Sequence, residues 1–299
     1  MSSLMSGKRT FLIPYALILP AFALIIVFRI YPILSTLLES IYVNERFTFS
    51  VYVRVLKDQM FWNSLWVTVK LNLVMIPFQI FISFIMALLV NVSVRGIGVF
   101  RTLTYLPFTL SLAVATILWN IMLNPNNGVI NSFLGVFDIP AQGFFISSTQ
   151  ALWSIMAVAS WSGCAYWMMF ILAGLKNIDP TIYESARIDG TNWFTSIIHI
   201  TLPLLKRVIL FVFVANTTSN FLLFVPMQMI TGGGPQGSTN VLMYEAYKSA
   251  FRFADRPRSS VIVTVLLFMI VLICLLQFRL LNEKEDKVKG KKKGRKQNV

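Results

Sequence analysis

Two short stretches hold the side chains best suited to a polyhydroxylated solute. One contains Trp161-Ser162-Gly163 and then Tyr166-Trp167, and the other reads Asn216-Thr217-Thr218-Ser219-Asn220. Amides and hydroxyls exchange hydrogen bonds with hydroxyl groups, and aromatic rings cover the C–H faces of a sugar. Asn72, Gln79, Trp119 and Asn120 are weaker candidates. All lie within long apolar runs, where polar groups also bind helix to helix, so both uses stay open. Asn216 and Asn220 are four apart and share a helical face. An amide facing lipid with unmet groups is costly. That face is therefore expected to point into the protein interior, where a solute could bind, with Trp161 or Tyr166 nearby.

Reactive chemistry is missing. His199 is the only histidine, and Cys164 and Cys274 both fall in apolar runs, where they read as small core residues. The sequence has no metal-ligand cluster and no phosphate-binding GxxxxGK[ST] pattern, so ATP hydrolysis by this chain is not expected. No catalytic residue, metal or cofactor is expected, which argues against a membrane enzyme. No Asp or Glu lies within the apolar runs, which counts against an ion-coupled transporter. The basic exceptions are Arg29, Lys70 and, at the end of the last run, Arg279. Lys70 lies about 12 Å in from Trp62 at 1.5 Å per residue and has a stem able to snorkel outward.

The elements that position these residues are membrane helices. The 299 residues are 56% hydrophobic and 13% charged, about half the charged share of a soluble domain. Six runs are long enough to cross the bilayer: Phe11–Ile30, Trp62–Val90, Thr102–Leu123, Leu152–Leu175, Val208–Ile230 and Ser260–Leu280. The expected fold is all-α and polytopic. It has a cytoplasmic N-terminus over 1–10, a transmembrane domain over 11–282 and a basic cytoplasmic tail over 283–299. The first run is too long for a signal-peptide core and reads as an uncleaved anchor.

Charge sets the orientation. Lys8, Arg9, Arg95, Arg101, the loop with Lys176, Arg187, Lys206 and Arg207, and a tail with eight Lys/Arg against three acids belong inside. Residues 124–150 have no Lys or Arg and belong outside. Two outer loops are less clean: one carries Arg46, Arg54 and Lys57, and the other carries Lys248, Arg252, Arg256 and Arg258 against the rule, where the tail outweighs it. The net charge of +14 is thus a membrane signature, with anionic lipid and not nucleic acid as its partner. Beyond Gly232-Gly233-Gly234-Pro235, Thr239 is placed to cap a short interfacial helix with Leu242, Met243, Ala246, Tyr247, Ala250 and Phe251 on one face.

The loop over 176–207 has a structure of its own. Asp179 is placed as an N-cap with Pro180 at the first helical position, and Gly190 where a helix-ending glycine with positive φ belongs. Thr191 then caps a second short helix carrying Trp193, Phe194, Ile197 and Ile198, which Pro203 ends before the next span. Charge on one face and bulky apolar groups on the other suit docking on a soluble partner, or lying at the membrane surface.

Its sequence, Glu184-Ser185-Ala186, three residues, Gly190, nine residues, Ile200-Thr201-Leu202-Pro203, closely resembles the EAA loop of binding-protein-dependent ABC importers. The one departure is Ser185 in place of alanine. Further segments are similar to permeases of the carbohydrate-uptake class. They are Tyr31-Pro32-Ile33, Leu123-Asn124-Pro125 with Gly128 and Asn131, Leu172 through Ile178, and Thr231 through Pro235 with Ser238-Thr239, Tyr247 and Ala250-Phe251. Residues 254–260 depart from that pattern. The resemblance implies a type I ABC importer permease fold with a cytoplasmic coupling loop, in which Glu184, Ser185, Ala186, Asp189 and Gly190 dock on the ATPase. It implies a multi-pass subunit of the cell membrane, with a second permease subunit, a dimer of ATP-binding subunits and an extracellular solute-binding protein as partners. The implied substrate is a sugar or oligosaccharide, or a solute such as glycerol-3-phosphate.

Overall fold

The computed structural model describes residues 15, 17–43, 45–92 and 94–296, with side chains through Arg279. The expected cytoplasmic N-terminus and the start of the first span lie outside the described residues. The chain forms two compact units, residues 1–58 with 246–265, and residues 59–245 with 266–299.

The first unit opens with α1, Leu17–Ile41. The sequence places the end of this span at Ile30, yet the helix runs on through Pro32. A wide turn over Ile26–Ile30 precedes the proline, and Tyr31 N–H bonds back to the Ile26 carbonyl. A proline in the first turn of a helical segment has no N–H to leave unmet, so Tyr31-Pro32-Ile33 is helical and not a loop. A two-stranded hairpin, β1 Tyr42–Val43 and β2 Arg46–Phe47, leads to α2, Ser50–Lys57. Two ion pairs tie α2 and the residue after it to residues 255–258: Arg54 with Asp255 at 3.1 Å and Arg258 with Asp58 at 2.6 Å. Two of the basic residues that conflict with the charge rule are therefore paired with acids.

The second unit carries the sites. α3 spans Gln59–Val90, α4 Ile97–Thr109, α5 Leu112–Met122 and α6 Val129–Gly135. α7 spans Ala151–Lys176, α8 Pro180–Ile188 and α9 Trp193–Phe221. The expected single span over 102–123 is bent: α4 and α5 meet at 95°. Leu110 is extended, and the Ser111 hydroxyl restarts the helix by accepting from Val114 N–H at 3.3 Å. Among the described residues, five helices are long and apolar enough to cross a membrane, or six when this bent pair is one span.

The fifth span is displaced from the expected Val208–Ile230. Pro203 does not stop the helix. A wide turn over Ile197–Thr201 precedes it, Leu202 N–H bonds to Ile197 O, and the second loop helix and the span become one rod. That rod ends at Phe221 with a turn at Leu222, and helix resumes at Val225 and runs through Pro226. A rod of 29 residues is about 44 Å long at 1.5 Å per residue, longer than ~30 Å of hydrocarbon requires.

Beyond it, α10 covers Leu242–Tyr247. The Thr239 hydroxyl bonds to Gly234 O at 2.7 Å instead of capping α10. The buried face is Leu242, Tyr244, Glu245 and Ala246, while Phe251 is exposed, so the expected apolar stripe is only partly the packed one. The last helix, α11, runs Arg256–Lys296 and begins four residues earlier than Ser260. Asp255, in the segment that departs from the carbohydrate pattern, accepts from Arg258 N–H at 3.0 Å and starts it.

α3, α7 and α9 pack together around Ala87, Val90, Trp167, Met168, Ile171, Leu205 and Val212. Lipid tails are as apolar as these side chains, so close packing and hydrogen bonds hold the bundle, not the hydrophobic effect. One face of α3 carries a stripe of buried polar residues: Ser64, Thr68, Asn72, Gln79 and Ser83. Ser64 accepts from Asn240 at 2.7 Å, the Thr68 hydroxyl accepts from Leu242 N–H at 2.8 Å, and Ser83 donates to Cys164 O at 3.0 Å.

Candidate functional site

The helical part of the 176–207 loop begins at Asp179, whose carboxylate accepts the Thr181 N–H at 2.9 Å, with Pro180 in the first turn. Accepting that backbone N–H holds the Asp179 carboxyl below its ordinary value. α8 then ends in a paired cap. Gly190 N–H bonds to Arg187 O at 3.0 Å, and Thr191 N–H to Ala186 O at 2.9 Å. This 5→2 and 6→1 pair is the Schellman arrangement, and it needs a left-handed residue. Gly190 supplies it with φ +77, while the space around its missing Cβ is open. Conformation alone demands glycine there. The next cap is Asn192, not Thr191: its side chain accepts from Thr195 N–H at 2.8 Å.

The loop presents the expected residues in two layers. Glu184, Ser185, Asp189 and Gly190 are exposed, and Ala186 is buried against the body. The Ser185 hydroxyl turns back to Thr181 O at 2.9 Å, so serine in place of alanine adds no outward polar demand. Ile188 and Trp193 are 87% and 71% exposed on the loop. Between the loop and the end of α3 lies a cleft of about 530 Å³, lined by Tyr183, Glu184, Arg187, Trp193, Leu88 and Val92. Arg101 fixes its α3 wall by donating from Nε and Nη2 to the Val90 carbonyl at 3.0 and 2.8 Å.

The second locus is the polar band of α9. Asn216 is fully buried and Asn220 nearly so, on a common face. Asn220 Nδ2 donates to Asn216 Oδ1 and to Gln79 Oε1, each at 2.9 Å. Gln79 Nε2 donates to Ser160 Oγ at 3.3 Å. Thr217 is used differently, accepting from Gln277 at 2.7 Å on another side of α9. The band is therefore split, as five consecutive helical residues must be.

Trp161 and Tyr166 do not join this cluster. One residue rotates a helix by about 100°, so Trp161 lies off the face that Ser160 occupies. Its ring meets Trp119 edge-on at 5.6 Å, and Tyr166 stacks on Phe108 at 4.5 Å. The partners of the asparagines are Gln79 and Ser160. Ser160 escaped sequence reading because a lone serine in an apolar helix carries no signal. Gln79 had one, the four-residue spacing of the α3 stripe. Lys70 does not simply snorkel: its ammonium sits 5.8 Å from the Trp153 ring centroid. Among the described residues no group of His, Cys, Asp and Glu is placed to hold a metal.

Helices long and apolar enough to cross a membrane, with a capped and exposed loop between two of them, define a polytopic membrane protein. The family model described as "Binding-protein-dependent transport system inner membrane component" matches residues 79–284. The UgpA permease protein of the sn-glycerol-3-phosphate transport system of Salmonella choleraesuis (strain SC-B67) is 30% identical over 295 residues, covering 95% of this chain and 99% of that protein. The corresponding protein of Escherichia coli O157:H7 matches to the same extent. A chain of a bacterial ABC transporter that imports the acidic polysaccharide alginate superposes with TM-score 0.80 at 18% identity, covering 94% of this chain and 98% of that one. A chain of the alginate transporter in complex with its alginate pentasaccharide-bound periplasmic protein gives TM-score 0.81 at 20% identity, covering 93% and 96%. The chain belongs to the family of binding-protein-dependent transport system inner membrane components. It is a multi-pass permease subunit of an ABC importer.

Proposed function

We propose that this subunit forms half of the translocation path for a sugar or oligosaccharide handed over by an extracellular solute-binding protein. A second permease subunit completes the path, and a dimer of ATP-binding subunits drives it. The observation that carries the substrate reading is the buried amide cluster of Asn216, Asn220, Gln79 and Ser160. Among the described residues, no charged side chain bonds to it. That favours a neutral polyhydroxylated solute over a phosphate ester, which calls for Arg or Lys. Asn216 and Asn220 are the residues assigned to the path, and Trp161 and Tyr166 line it from another face of α7.

The capped loop supports docking of Glu184, Ser185, Ala186, Asp189 and Gly190 on an ATP-binding subunit, with both termini in the cytoplasm. Asn216→Leu and Asn220→Leu should each lower uptake of solute by the reconstituted importer while the subunits still co-purify. Loss of assembly instead would make the cluster helix-to-helix glue and move the path elsewhere.

A further inference from the structure

The central side chain of the buried cluster lies on neither α7 nor α9. Gln79 of α3 is 1% exposed. Its Oε1 accepts from Asn220, and its Nε2 donates to Ser160. Three helices thus meet at one carboxamide. The fit depends on the residue opposite: a Cβ on Gly163 would stand 2.9 Å from Gln79 Nε2, so only a bare glycine leaves the amide its place.

The cluster is not saturated. Asn216 Nδ2 is buried and has no hydrogen-bond partner. Glue accounts for the bonds that Gln79 makes. It does not account for an unmet donor at the same place, since buried donors in finished polar networks are paired. One flexible side chain takes up a donor and an acceptor, beside a donor left over. That is the pattern of a polyol site filled by a group of the protein itself. Gln79 also lies two residues beyond Pro77, which lacks the N–H that would bond to the Leu73 carbonyl. Helix α3 is therefore weakest in bending next to the side chain that must withdraw.

We propose that Gln79 is an internal surrogate for solute: it occupies Asn220 and Ser160 while the path is empty and is exchanged for solute hydroxyls when the path opens. The inference rests on the reading that Asn216 and Asn220 line the path. In the exchange, a hydroxyl oxygen accepts from Asn220 and from the unmet Asn216 Nδ2. The same hydroxyl donates a hydrogen bond to Ser160 Oγ in place of the one from Gln79 Nε2. A path closed by its own side chain restrains ATP hydrolysis when no solute is present.

The test uses the importer reconstituted with its second permease and ATP-binding subunits, without solute. Gln79→Ala should raise ATP hydrolysis by about tenfold, as expected for losing two buried hydrogen bonds of the closed state. Gly163→Ala should do the same by displacing the amide, and the double variant should exceed neither single one. Gln79→Met keeps the volume without the hydrogen bonds and should match Gln79→Ala. If Gln79→Ala and Gln79→Met hydrolyse at the parent rate, or both fail to assemble, Gln79 is a structural joint and the proposal is wrong. Multiplying effects in the double variant would also overturn it.

Uptake by Asn220→Leu separates the two ideas, with radiolabelled sn-glycerol 3-phosphate or a neutral disaccharide as probe, whichever the parent imports. Normal uptake would remove the path reading and the surrogate together. Lost uptake with unchanged hydrolysis in the Gln79 variants would remove the surrogate alone.

Discussion

Thr191 donates its backbone N–H to the Ala186 carbonyl at 2.9 Å, closing the end of α8 across Gly190. This one bond sets the angle between α8 and α9, because the residue it spans must be left-handed. A β-branched residue at 190 pays roughly 1–2 kcal/mol for that conformation, whereas asparagine visits it readily. Gly190→Val should therefore leave the subunit in the membrane but weaken co-purification with the ATP-binding subunit, and Gly190→Asn should largely restore it. Equal assembly of all three proteins would remove the coupling role from this turn.

Glu184 is exposed on the loop and lines the cleft behind it. Reversing its charge in Glu184→Lys should reduce ATP-dependent uptake at least about tenfold, since like charges across a complementary interface cost several kcal/mol. Glu184→Gln should lose less. Uptake by the lysine variant at the parent rate would refute a charge contact here.

Arg101 holds the end of α3 through two bonds to the Val90 carbonyl. Arg101→Leu removes both and should cost about 1.5–3 kcal/mol, the range for hydrogen bonds to a charged group. Thermal denaturation of the purified subunit reads the loss. Arg101→Lys, with a single point of charge, should recover only part of it.

Asp179 gives the loop a pH dependence of defined sign. Its folded pKa lies below the ordinary value because it accepts the Thr181 N–H. The stabilisation is complete above the unfolded carboxylate pKa and is lost as pH falls through the lower folded value. Hydrogen exchange at residues 181–183 should gain protection relative to a free peptide as pH rises through the carboxylate range. Asp179→Asn still caps and should show no such step. A step of equal size in both proteins would assign it to another group.

Topology is open to direct labelling. Single cysteines replacing Gly190 and Gly294 should react from the cytoplasmic side, and one replacing Ser132 from the outside. The reverse pattern would overturn the orientation and the docking of the loop together.

Much of this protein is determined by its sequence alone. Long apolar runs require helices, because lipid offers no partner for a backbone group. The loop is equally local: Asp179, Pro180 and Gly190 act through φ angles and bonds to neighbours within a few residues, so their spacing is enough to place a helix and its end. Tertiary structure decided the rest. Pro203 reads as a stop, but a widened turn ahead of it lets the helix run through, and a similar turn carries α1 past the expected end at Ile30. The bend between α4 and α5 likewise leaves hydropathy unchanged, so composition cannot reveal it. The buried cluster is the clearest case. Asn220 and Gln79 are 141 residues apart and meet only because α3 and α9 cross at that height beside Gly163. Hydropathy says that such amides must find partners within the protein, and only the packing of three helices says which ones.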